Sequence, residues 1–316
     1  MKWEKKGLIY VPDGRFNWNK SHASVPTVYK LNEKILRVYF ATRDANNRTS
    51  ISFIEVEANN PKRITYEHDQ PVIVPGTRGM FDDCGAMPSH VIDVGNEVWM
   101  YYLGWNVRNT IAYHNSIGLA ISKDGGNTFE KFSEGPLFDR NYIEPYFSAA
   151  PFVIRENSTW KMWYLSNTKW VEHNDKTEPF YHIKYAESHN GIDWRREGRI
   201  AIDYKDEKEC GIVRACVLKD RDIYKMWYAH RNLINYRNDK NNSYRIGYAE
   251  SNNGYEWTRK DDQVGINVSA DGWDSEMIEY PFVYDHNNQR YMMYNGNAFG
   301  KTGFGYAIYN DTRELI

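Results

Sequence analysis

One short pattern recurs five times along this chain, and it limits the possible folds more than any other feature. A small residue, then proline or cysteine, then apolar residues appear as SVPTV, AMPSHV, AAPFV, RACVL and EYPFV. The marker positions are Pro26, Pro88, Pro151, Cys216 and Pro281, at steps of 62, 63, 65 and 65 residues. After each marker comes a second segment: LRVYFA, VWMYYLG, WKMWYLS, YKMWYAH or RYMMYNG. A third follows as SISFIEVE, SIGLAIS, HIKYAES, RIGYAES or GFGYAIY. A fourth opens after a turn, as DGGNTFEKF, HNGIDWRRE and NNGYEWTRK, with a looser version in RITYEHDQPVIV. These segments are short, aromatic or β-branched, and bounded by Gly and Asn turns, which is the chemistry of strands joined by hairpins. The 25 Tyr, 13 Phe and 11 Trp fit the same reading.

Four strands repeated five times predict an all-β chain, a five-bladed β-propeller with four-stranded blades. The fifth repeat ends at Tyr309 without its fourth strand, while WEKKGLIYV near the start reads like WRREGRIAI. The N-terminal strand is therefore expected to complete the last blade, which closes the ring and leaves no open sheet edge. The expectation is a single domain over 1–316, with blades near 18–75, 80–140, 144–204, 210–268 and 274–310 plus 1–12. Ser122, Asp124, Gly126, Thr128 and Phe129 spell the Asp-box of sialidase-like propellers. It is read as a turn device, in which the Asp accepts backbone N–H bonds of its own hairpin.

Bulk properties exclude several partners. The 42 acids against 40 bases leave a net charge of −2, which argues against nucleic acid and anionic membranes as partners. No apolar run is long enough for a membrane span, and MKWEKKGLIYVPDG lacks a signal-peptide core. Three cysteines, Cys84, Cys210 and Cys216, are few and odd in number, which suits a reducing, cytoplasmic compartment. They match no zinc spacing, no ligand spacing argues for another metal, and no cofactor motif is present. Nothing in the pattern sets an oligomeric state.

In a propeller the first strand of each blade lines the axis, and the loop after the second strand opens on the same face. Chemistry is therefore sought upstream of each marker and downstream of each second segment. Five residues before the markers stand Ser21, Asp83, Tyr146, Gly211 and Glu276; two before them stand Ser24, Ala86, Ala149, Arg214 and Glu279. Glu144 lies slightly further upstream in the third repeat, and Asp82 adjoins Asp83. The second rim contributes Arg43, Asp44, Trp105, Asn106, Asn167, His230, Arg231 and Asn297. Strand side chains alternate, so Glu276 and Glu279 share a side only if a bulge or turn intervenes, and Glu279 is the expected inward one. An ion pair between Arg214 and Glu279 is the structural alternative to a role in binding. Carboxylates, Asn, Arg and exposed aromatics together suit a small-molecule sugar or oligosaccharide, with hydroxyls to bond and apolar faces to stack. Glycoside cleavage needs a carboxylic acid and a second carboxylate as base or nucleophile.

The five repeats with acids on inner strands resemble the propellers of glycoside hydrolase families 43, 32, 68 and 130. FDDCGAMPS, NSIGLAISKDGG, EPYF, YRIGYAES and GWDSEMIEYP more closely resemble glycosidase-like proteins of bacterial surface-polysaccharide clusters. The resemblance implies a glycosidase acting on a glycoside or activated sugar, with Glu144 as general acid and Asp83 as orienting carboxylate. Glu279 or Glu276 would be the base, and Arg43, Arg214 and Arg231 would grip an anionic group. The first repeat departs from the pattern, with Ser21 and His22 where families 43 and 32 place an acid. The alternatives are a glycoside phosphorylase and a glycan-binding propeller without catalysis.

Overall fold

The computed structural model describes residues 1–173 and 176–310. Strand β1 spans Trp3–Tyr10. A first set follows: β2 Ser21–Lys30, β3 Ile35–Arg43, β4 Thr49–Glu57 and β5 Asn60–Glu67. A second set holds β6 Gly85–Val94, β7 Glu97–Val107, β8 Tyr113–Ser122 and β9 Glu130–Lys131. The third holds β10 Ser148–Glu156, β11 Thr159–His173, β12 Lys176–Ser188 and β13 Trp194–Ile202. The fourth holds β14 Glu209–Asp220, β15 Ile223–Asn232, β16 Arg245–Ser251 and β17 Thr258–Arg259. Last come β18 Glu279–His286, β19 Gln289–Asn295 and β20 Phe304–Tyr309. Within each set consecutive strands pair antiparallel, and β1 pairs with β20 to supply the fourth strand of the last set. Among the described residues no helix is long and apolar enough to cross a membrane.

The first strands pack on one another in cyclic order: β2 on β6, β6 on β10, β10 on β14, β14 on β18, and β18 back on β2. The second strands are buried on both faces, so their segments read as near-continuous apolar runs instead of alternating ones. In β7, Met100, Tyr101 and Tyr102 are all fully buried. Adjacent sets are tied by one repeated bond from a second strand to the next set's hairpin. Tyr39 donates to the Gly126 carbonyl (2.6 Å), Tyr101 to that of Gly191 (2.8 Å), and the Trp163 indole to that of Gly254 (2.7 Å). The hairpins are held as the Asp-box reading expects: Asp124 Oδ1 accepts the N–H groups of Asn127 and Thr128, both at 3.0 Å.

Every first strand carries a bulge just before its apolar half, where two of its residues face one on the second strand. Val25, Ala150, Arg214 and Tyr280 occupy it with left-handed backbone, and Pro88 takes the same place in β6. This corrects the repeat alignment by one residue in two sets. Pairing with Ala41, Leu103, Leu165, Ala229 and Asn295 makes Ser24, Met87, Ala149, Val213 and Glu279 equivalent. Arg214 and Glu279 are therefore not counterparts, and Arg214 matches Tyr280.

Candidate functional site

Two residues beyond those second-strand positions stand Arg43, Trp105, Asn167, Arg231 and Asn297, one per set. The sequence had picked all five, and the strand register brings them to one level around the axis. Hydrogen-bond accounting then separates them, because a buried polar group without a partner is rare and points to a missing one. Trp105 donates its indole N–H to Thr49 Oγ1 (2.7 Å). Asn297 accepts the N–H groups of Glu276 (2.8 Å) and Met277 (3.2 Å), which makes it a strap for the approach to β18. Arg231 is buried in a tyrosine cage: Nε donates to Tyr181 and Tyr244 at 3.1 Å each, with Tyr236 beneath its guanidinium at 3.7 Å. Two ring members keep unused capacity. Arg43 Nε is buried without a partner, and both polar atoms of the Asn167 amide are unpartnered.

Glu279 pairs with Asn295, two residues short of this level, and it is fully buried. Asn295 Nδ2 donates weakly to Oε1 (3.4 Å), while Oε2 has no partner. Asn295 is itself held by the Val25 N–H (2.9 Å). Gly300, at φ +85°, lets the chain pass close by, since a Cβ there would sit 2.9 Å from Asn295 Nδ2 and 2.6 Å from the Ala23 carbonyl. Burial pushes the Glu279 carboxyl up to about 8, against the lowering pull of Asn295, Arg231 and Arg43. At neutral pH it therefore holds its proton, which suits an acid and reverses the base role the sequence suggested. Tyr280, half-buried at the bulge, packs with Tyr244 (6.1 Å between centroids). His22 follows Ser21, whose Oγ lies 2.8 Å from its Nδ1, and burial with Arg43 and Lys301 nearby lowers it to about 4.

Several expected site residues are placed elsewhere. Glu144 is buried beneath the rim, accepting from Tyr164 (2.9 Å) and facing Lys184 (3.3 Å) and Arg196 (3.4 Å). Asp82 does the same with Tyr102 (3.1 Å) and Lys131 (2.6 Å), and Asp274 with Tyr294 (2.9 Å) and Lys5 (2.7 Å). In the fourth set Tyr228 donates to Asp261 (2.5 Å), which Arg259 holds at 2.6 Å. Tyr102, Tyr164, Tyr228 and Tyr294 occupy one position in successive second strands, and in most sets the cation comes from the fourth strand. The acids are pins for a repeated buried tyrosine, and both oxygens of Glu144, the expected general acid, are engaged in this way. The first set has Phe40 at that position, so it needs no acid there. A tyrosine recurring at a fixed place in four second segments was the signal available in the sequence, since a buried phenol needs a partner.

Further corrections concern single residues. Asp44 caps its own turn, accepting from the N–H groups of Asn46 (2.8 Å) and Arg48 (2.9 Å). His230 is held by Glu209 (3.0 Å), and Asn106 donates to the Met80 carbonyl (3.2 Å). Arg214 is fully buried across the axis, donating to the Ser89 carbonyl and to Thr27 Oγ1 (2.8 Å) and making no pair with Glu279. Below it His90, lowered to about 3 by burial and by Arg214, packs against Phe152 (4.1 Å) and Phe282 (6.1 Å) and fills the axis. Glu276 is exposed. Asp83 is divided: Oδ2 accepts the Gly79 N–H (2.8 Å), and Oδ1 is buried and unpartnered. Asp83 and Glu279 are the two expected catalytic carboxylates with a buried oxygen that lacks a partner among the described residues.

Solved structures with the same fold are glycoside hydrolases. A glycosyl hydrolase from Bacteroides ovatus superposes with a TM-score of 0.74 at 14% identity, covering 99% of this chain and 94% of that one. A structure from the GH130 family of mannoside phosphorylases, which contains glycoside hydrolases that target β-1,2 mannosidic linkages in Candida mannan, gives 0.72 at 14%, covering 98% and 94%. A thermostable family-43 glycoside hydrolase gives 0.63 at 19%, covering 94% and 90%. The architecture is thus that of the propeller glycosidases. No protein-family model matches the chain. Two Mycobacterium tuberculosis proteins, Rv1502 of strain H37Rv and MT1551 of strain CDC 1551, are 38% identical over 308 residues, 98% of this chain and 99% of each relative. This chain belongs to the family of Rv1502 and MT1551.

Proposed function

We propose that this protein is a single-domain, five-bladed propeller that works in the cytoplasm of a bacterium as a glycoside hydrolase-like enzyme of surface-glycan metabolism. The observation that carries the catalytic reading is Glu279, a buried carboxyl kept protonated at neutral pH with one oxygen unused and with Arg43, whose Nε is also unused, close enough to act on it. Glu279 donates its proton to the leaving glycosidic oxygen, Asp83 is the opposing carboxylate, and Arg43 and Asn167 bond the sugar. Tyr280 and its aromatic neighbours provide faces for sugar C–H groups. Because Glu279 is buried, side chains of the funnel wall must turn aside as the ligand enters. The fold shared with glycoside hydrolases and the cyclic packing of the five first strands support this reading.

The test is turnover of a panel of aryl glycosides and surface-glycan oligosaccharides. Glu279→Gln is expected to lower kcat about 10²–10⁴-fold while the protein stays folded, the range for loss of a general acid. Unchanged turnover would remove Glu279 from the mechanism. A glycan-binding role without catalysis is favoured by the engagement of Glu144 and Asp82 in pins, and it predicts a saturable sugar complex that stays intact with either residue at 279. Release of sugar 1-phosphate that depends on added phosphate would mark a phosphorylase instead.

A further inference from the structure

Four arginines are buried among the described residues: Arg37, Arg214, Arg231 and Arg290. Two of them obey the usual rule that a buried charge is paired. Arg37 meets Glu55 at 2.6 Å, and Arg290 meets Asp220 at 2.6 Å and Asp285 at 2.7 Å. The other two, at the axis and on its rim, do not. Arg214 bonds two carbonyls and Thr27 Oγ1, and its Nε is unpartnered. Arg231 bonds two phenols, the Cys210 sulfur and the carbonyls of Pro179 and Asn232. Among the described residues neither has a carboxylate within ion-pair distance, and Arg43 on the same rim has none either, with Nε unused. The carboxylate acting on both Arg43 and Arg231 is Glu279, whose burial keeps it neutral. A chain with a net charge of −2 thus places three guanidiniums without a paired carboxylate among the described residues on the first strand β14 and near the ends of the second strands β3 and β15, in the sets that pack around the axis. Withdrawing a cation from water without a counter-charge costs several kcal/mol, so such a cluster is kept where an anion completes it.

We propose that the funnel is an oxyanion site, which takes a carboxylate, phosphate or sulfate group that Arg43 contacts directly while Arg214 and Arg231 hold it through their field from beneath. The planar guanidinium fork of Arg43, with an unused N–H, matches such a group in shape as well as charge. Fully buried, Arg214 and Arg231 act at a distance, and the low dielectric of the interior keeps their influence strong. The anion is either part of the sugar substrate or free in solution. The inference rests on the funnel being the ligand site of the proposed function, and not on the ligand being cleaved.

The experiment is binding to the full chain at constant ionic strength, by calorimetry and thermal shift. The probes are inorganic phosphate, sulfate, glucuronate, glucose 1-phosphate and, as the neutral control, glucose. Saturable binding of at least one oxyanion and none of glucose is expected. Arg43→Gln is expected to weaken that binding about tenfold or more, the loss of one charge-assisted contact. Arg43→Lys, which keeps the charge without the fork, should fall between Arg43→Gln and the wild type. Arg48→Gln, which removes a cation paired with Asp44 in the exposed turn nearby, should bind like the wild type. Saturation by phosphate alone identifies a free anion, and saturation only by glucuronate or glucose 1-phosphate identifies one carried on the sugar. The inference is overturned if no oxyanion binds saturably, or if both Arg43 variants bind as the wild type does. Turnover of a neutral glycoside without oxyanion binding would sink this inference and leave the glycosidase reading standing. Oxyanion binding without turnover of any glycoside would do the reverse.

Discussion

The seams under the rim and the axial face use the same residue types in opposite ways. In the seams each carboxylate has a phenol and a cation: Asp82 with Tyr102 and Lys131, Glu144 with Tyr164, Lys184 and Arg196, Asp274 with Tyr294 and Lys5. At the axis Glu279 and Arg43 keep atoms unused, and Arg214 and Arg231 lack counter-ions. A satisfied polar network specifies a fold, and the seams come close to that, with Asp82 Oδ1 the seam oxygen left over, whereas the axis combines unpartnered atoms with cations that have no paired carboxylate among the described residues.

This contrast can be broken in order of effect. Glu144→Ala strips the carboxylate from Tyr164, Lys184 and Arg196, and urea unfolding should show a loss of about 3–5 kcal/mol, as when one member of a buried pair is removed. A loss below about 1 kcal/mol, with turnover abolished, would return Glu144 to the active site. Glu279→Gln should act in the opposite sense, by an amount that grows as pH rises above the ordinary carboxylate range. The folded-state value of Glu279 is raised to about 8, so its contribution is complete in acid and is lost as pH climbs toward 8. The variant should be more stable than the wild type at pH 9 by about 2–4 kcal/mol and should lack that pH slope, as read by urea titrations at several pH values. Identical slopes in the two proteins would mean Glu279 is ionised in the fold.

The buried arginines offer a third contrast. Arg290→Met leaves Asp220 and Asp285 without their shared cation and should cost about 2–3 kcal/mol, whereas Arg214→Met removes an unpaired charge and should cost no more than about 1. Equal losses in thermal or urea unfolding would show that Arg214 is compensated after all. The smallest effect belongs to a surface turn. Asp124→Ala should cost about 1 kcal/mol through the lost turn bonds and leave ligand binding untouched.

Much of the scaffold was legible in the chain. The pairing of strands four to a set, the N-terminal strand closing the last set and the Asp124 turn depend on local spacing, alternation and turn chemistry. The repeat also placed Arg43, Trp105, Asn167, Arg231 and Asn297 after successive second segments, and the strand pairing puts each two residues beyond an equivalent position. Absence from some repeats does not separate the two kinds of acid, since Glu279 shares it with the pins Asp82, Glu144 and Asp274. The pins recur at a fixed spacing, since Asp82, Glu144 and Asp274 each stand 20 residues before their tyrosine, while the fourth set draws Asp261 from beyond Tyr228. The bulge moved the frame by one residue at Pro88 and Cys216, where proline and cysteine imitate an alignment they do not keep.

The sequence alone determined the period, the strand chemistry and the hairpins, because each is settled by residues within a few positions of one another. Tertiary structure decided which polar groups are satisfied, because their partners arrive from distant segments: Lys5 reaches Asp274 and Arg214 reaches Thr27. A side chain's need for a partner is written locally, but whether that partner is present depends on which strands the closed packing brings together. Glu279 differs from Glu144 on that ground alone.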